Sequence, residues 1–120
     1  MALSEYLGIS SDLIPRVATG VGTGFSLNGL ACGSISAAAI AIGIKYGRKS
    51  SSENPQIVWS KVDRLIETFR KRFGATSCRE LTALDIKTAE DFKEYCKSVH
   101  DHACTERVKF AVEKAIELLE

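Results

Sequence analysis

The sequence predicts an all-α fold: a single compact domain of about five or six helices around a central Ala/Gly-rich helix. Three observations predict it. From Val58 to Phe73, apolar residues recur at three- and four-residue steps, the period of a helix with one buried face. Capping signals mark the chain at Asn54-Pro55, at Ser77 with Glu80, and at Thr88 with Asp91. An uncharged run from Val17 to Ile44 ends in an alanine-rich stretch with small residues on every helical face, which suits the middle of a helical packing.

A chain of 120 residues is one domain, long enough for a real core. Hydrophobic residues make up 45% and charged residues 26%, an ordinary globular balance, and the net charge of +1 gives no field that would draw nucleic acid or an anionic membrane. The Val17 to Ile44 run raises the question of a membrane span. Its glycines, Thr19, Thr23, Ser26 and Asn28 leave only about 15 continuous helical residues, short of the roughly 20 a bilayer needs. Glu5 and Asp12, with no basic leader, argue against a secretory signal and for a cytoplasmic protein. Four cysteines in that compartment serve as thiols, redox groups or metal ligands rather than as structural disulfides.

In chain order, Ala2 to Ile9 reads as a short helix with Leu3, Tyr6 and Leu7 on one face and Gly8 as its stop. Asp12 to Thr19 reads as a second, with Pro15 in its first turn. Gly20, Gly22 and Gly24 make a flexible or tightly turned approach to a helix from about Gly29 to Tyr46, for which Asn28 is the expected N-cap and Gly47 the stop. Asn54-Pro55 opens an amphipathic helix that ends at Gly74, and the cations Arg70, Lys71 and Arg72 complement its C-terminal dipole. The box at Ser77 starts a short helix, and the box at Thr88 starts one through Phe92, Tyr95 and Cys96 to about Val99. Asp101 is the expected cap of the last helix, whose buried stripe is Val108, Ala111, Val112, Ala115, Leu118 and Leu119.

These boundaries put Cys32, Cys78 and Cys104 in the first turns of three different helices. Unpaired N–H groups and the positive helix end favour negative charge there, and Arg79 next to Cys78 adds to the effect. A structural cysteine has no need of such a position, whereas a reactive or ligating one gains from it. Cys96, His100 and Cys104 fall at i, i+4 and i+8, so Cys96 is a further candidate metal ligand if the helix is continuous; a break near His100 would make Cys96 core and His100 and His102 solvent-facing. No C-x-x-C pair, serine triad, phosphate loop or dinucleotide fingerprint is present.

Cys32-Gly33-Ser34 to Ala37, Gly43-Ile-Lys-Tyr-Gly47, Phe73-Gly74 with Cys78-Arg-Glu-Leu81, and Cys104 with Val108 together resemble the redox-active cysteine proteins named for their C-GCAxxG-C-C pattern. The resemblance covers most of the chain and implies a helical fold. Through a related cysteine arrangement beside the haem domain of split-Soret cytochromes, it also implies an iron-sulfur centre. On that resemblance Cys32, Cys78 and Cys104 are redox cysteines or cluster ligands, with Gly33 beside them at the site. Ser34 and Ala37 replace the motif's Ala and Gly. Its first cysteine would lie upstream of Leu3, where this chain has only Met1, so that ligand is lost or the natural start lies further upstream; Cys96 is an addition.

Three functions follow as expectations. The first is a redox protein whose thiolates hold an iron-sulfur cluster or other metal for electron transfer or redox sensing. The second is metal-free thiol-disulfide chemistry. The third is a non-catalytic helical interaction module that has lost the centre. The redox partner is not legible, and the small-residue surface of the central helix suggests a homodimer.

Overall fold

The computed structural model describes residues 1–84, 87–97 and 103–120. Its elements are α1 (Ala2–Tyr6), a 3-10 helix (Arg16–Val21), α2 (Gly22–Leu27), α3 (Gly33–Tyr46), α4 (Gln56–Phe73), α5 (Cys78–Thr82), α6 (Ala89–Tyr95) and α7 (Thr105–Leu119). No strand occurs among the described residues, only an isolated antiparallel bridge between Ala31 and Ser77. The fold is all-α, as the periodicity predicts. None of these helices is long and apolar enough to cross a membrane.

α3 is the centre of the packing, with α1, α4 and α7 against it. Its seam with α7 is lined by alanines, Ala38 and Ala41 facing Ala111 and Ala115, all at most 5% exposed, so the two backbones come close. Leu65 and Phe69 of α4 and Leu118 and Leu119 of α7 fill the rest of the core, with Leu3 and Ile42. Phe69, Phe73 and Phe110 form an aromatic cluster, Phe73 meeting Phe110 edge-on at 5.4 Å between centroids. Phe110 therefore belongs to the buried side of α7, whereas Val108, expected in the stripe, is half exposed. α3 is not enclosed all round either. Ala37 and Ile44 are exposed, beside an apolar cavity of about 190 Å³ reached by Ile40, Val17 and Val108.

The caps form where the sequence puts them, with small shifts. Ser77 Oγ accepts the Glu80 N–H at 3.2 Å. Thr88 and Asp91 make a complete capping box. Asn54 Oδ1 takes the Gln56 N–H at 2.9 Å, with Pro55 at the cap position rather than inside the helix. α6 stops at Tyr95, and the expected Asp101 cap and the His100 and His102 positions lie outside the described residues.

The largest departure is between Gly22 and Gly33. Asn28 does not cap the central helix; its side-chain amide donates to the Phe25 carbonyl at 2.8 Å, and α3 starts four residues later than expected. The cause is α2. From Thr23 to Leu27 every φ lies between 54° and 72°, which is a left-handed turn, and four of those five residues carry a Cβ. Within this turn, Gly24 is the position where glycine is required. A Cβ there would stand 2.6 Å from the Cys78 Cβ and 2.9 Å from the Leu30 nitrogen.

Candidate functional site

Three segments meet around one cavity. The bridge between Ala31 and Ser77 joins the stretch before α3 to the stretch before α5: Cys32 N–H donates to the Thr76 carbonyl at 2.8 Å and Cys78 N–H to the Leu30 carbonyl at 2.6 Å. Cys32 and Cys78 are thus the residues that flank the bridge, one on each segment. Each then leads into a helix: Cys32 holds the cap position of α3, and Cys78 is the first residue of α5. Cys104 comes to the same place from the far end of the chain, at the cap position of α7.

Cys32, Cys78 and Cys104 line a single cavity of about 300 Å³, together with Gly22, Thr23, Gly33, Tyr95 and Arg107. All three predicted cysteines are thus brought together, and Gly33 is in the wall beside them, where a Cβ would press on the Gly22 Cα at 3.3 Å. Cys96 is not brought in: it caps the end of α6 and does not line the cavity. All four thiols are free.

The thiols differ in surroundings. Cys32 Sγ lies 3.0 Å from the Ser34 hydroxyl. Cys104 Sγ is 3.7 Å from the Tyr95 hydroxyl and accepts from Arg107 Nη1 at 3.9 Å. Cys78 is buried, and burial pushes its thiol above the ordinary value; the neighbouring Cys32 and Cys104 push the same way, and only Arg107 opposes them. The expectation that a helix start and Arg79 would lower it is therefore corrected. α5 is five residues long, and the Arg79 side chain turns away to the Asn28 carbonyl at 3.2 Å. Burial likewise pushes the Tyr95 hydroxyl well above its usual range, helped by its contact with Cys104, so it stays protonated.

Tyr95 and Arg107 are the site residues that sequence reasoning missed. Arg107 lies three residues after Cys104, a spacing that brings side chains together on a helix, and that signal was available. Its Nη2 is anchored on the Leu81 carbonyl at 2.8 Å, tying α7 to the end of α5.

The site can present two or three thiols to one small molecule. Among the described residues, no three His, Cys, Asp or Glu side chains are grouped closely enough to hold a single metal ion, whose sulfur ligands must all come within about 2.3 Å of one point. No curated protein and no solved structure matches the chain. A family model does, over residues 1–118, so that its span takes in every cysteine of the cavity. The chain belongs to the family described as "Putative redox-active protein (C_GCAxxG_C_C)".

Proposed function

We propose that Cys32, Cys78 and Cys104 form a thiol redox centre that cycles between dithiol and disulfide by exchange with an external disulfide. The observation that supports it is the meeting of three thiols, from segments far apart in sequence, in one cavity. A thiolate of the more accessible Cys32 or Cys104 attacks one sulfur of the incoming disulfide, forming a mixed disulfide and releasing one thiol. Cys78, the most buried of the three, then gives up its proton and attacks that protein sulfur, closing an internal disulfide and releasing the second thiol. Two electrons and two protons pass to the external disulfide, which leaves as two thiols. Cys32 and Cys78 suit the closing step because they flank the bridge that joins their two segments.

The second reading is an iron-sulfur cluster held by the same three thiols. Thiolates are the ligands such a cluster takes, and the shared cavity favours it, but a fourth ligand is needed from elsewhere and the raised Cys78 thiol would have to ionise.

Protein purified without oxygen or a metal-affinity tag decides between them. Treatment with excess oxidised glutathione, followed by peptide mapping, is expected to yield one disulfide within the Cys32, Cys78 and Cys104 set, with Cys96 outside it. Iron with acid-labile sulfide, lost in Cys32→Ser, would replace this reading by the cluster. Metal-free protein with every thiol still free after oxidation would leave only the helical interaction module.

A further inference from the structure

From the surroundings of Arg107 we infer that the cavity recognises a substrate carrying a carboxylate or similar oxyanion close to its reacting atom, and that Arg107 is the residue that holds it. The inference rests on the thiol reading above and adds the charge of the molecule that enters.

Arg107 brings a positive charge to the cavity wall, and no carboxylate among the described residues lines that cavity. The guanidinium has five N–H donors. Nη2 spends one on the Leu81 carbonyl and Nη1 makes a long contact to the Cys104 sulfur. Nε is enclosed and has no hydrogen-bond partner. Enclosing a donor of a charged group without a partner costs free energy; a molecule in the cavity cannot reach Nε itself, so a negative group there offsets that cost through its charge and takes its hydrogen bonds from the remaining Nη donors. A guanidinium also offers paired donors that match the two oxygens of a carboxylate. The 3.9 Å from Nη1 to Cys104 Sγ sets the reach: an anion on Arg107 lies within one or two carbon atoms of a group under attack by that sulfur. A cavity of about 300 Å³ admits a small molecule rather than a protein segment.

Two alkylating reagents of nearly equal size test this, since iodoacetate is anionic and iodoacetamide neutral. Both react by the same displacement, in which the sulfur–carbon bond forms as iodide leaves. The ratio of their rates at Cys104, read by peptide mapping, is compared between the folded protein and the same protein in urea. Folding is expected to raise the ratio in favour of iodoacetate by about tenfold or more, as a charge-assisted contact implies. Arg107→Gln should abolish the gain and Arg107→Lys keep part of it. A ratio unchanged by folding in the wild-type protein would overturn the inference, whatever the disulfide mapping gives. Sulfate is the second measurement should Arg107→Gln fail to fold. It is expected to slow iodoacetate at Cys104 more than chloride at equal ionic strength does, and an equal effect of the two salts would overturn the inference as well.

Discussion

Cys78 stands at the first position of α5, yet what its thiol meets is burial, then the two neighbouring thiols, with only Arg107 pulling the other way. Its folded-state pKa is raised above the ordinary 9.0, so the folded chain holds this proton more tightly than the unfolded chain does. The resulting stability is fully present below pH 9.0 and is lost as the pH rises through the raised folded value. The urea midpoint is therefore expected to fall above about pH 9, and Cys78→Ala, less stable at neutral pH, should fall less over the same range. A variant with the same alkaline slope as wild type would contradict it. That the three thiols fall near helix starts could be read from local signals, but the sequence puts all three in first turns, whereas Cys32 and Cys104 stand at cap positions just outside their helices. Arg107, three residues after Cys104, was legible from helical spacing; Arg79, adjacent to Cys78 in sequence, is the misleading signal, because its side chain turns away to the Asn28 carbonyl.

Among the elements, α7 ends without a basic residue in its own last turn, and its terminal carbonyls are satisfied from outside. Lys61 of α4 donates to the Leu118 carbonyl at 2.8 Å, and Lys45 and Tyr46 of α3 both donate to that of Leu119, Tyr46 at 3.0 Å. The Tyr46 ring lies 4.6 Å from the Lys61 ammonium, so three helices are tied together at one helix end by cations placed where the dipole is negative. Tyr46→Phe is expected to cost about 1 kcal/mol in urea unfolding, the usual worth of one such hydrogen bond, with no change in the thiols. A loss near zero would mean the lysines suffice. The motif Gly43-Ile-Lys-Tyr-Gly47, read at first as a family signature, is in this respect a fastening of α7. The existence of α1 and of α3 to α7 was legible from periodicity and caps, but the helix expected from Asp12 to Thr19 is a 3-10 helix over Arg16–Val21, and α2 was not foreseen. Nor was the start of α3, because the left-handed path of α2 has no sequence pattern of its own and takes Asn28 away from the cap.

At the scale of the molecule, the central position of α3 follows from composition, since only a helix of small residues lets α7 approach as closely as Ala38, Ala41, Ala111 and Ala115 allow. The cavity does not follow from composition. It exists because one bridge draws Ala31 to Ser77 and because α7 returns beside α3, and such long-range pairings leave no local trace in a single sequence. The left-handed turn of α2 carries a further consequence. Each residue with a Cβ held in that conformation costs about 1–2 kcal/mol, so the turn is maintained by its packing and not by its own preference. Gly24, against the Cys78 Cβ, is part of that packing. Amide hydrogen exchange should show the protons of residues 23–28 leaving through a local opening well below the free energy of global unfolding, and alkylation of Cys78 should follow the same opening rate and equilibrium. The reactivity of the least accessible thiol would then be set by how often a strained piece of backbone lets go, a clock that operates while the helical core stays closed.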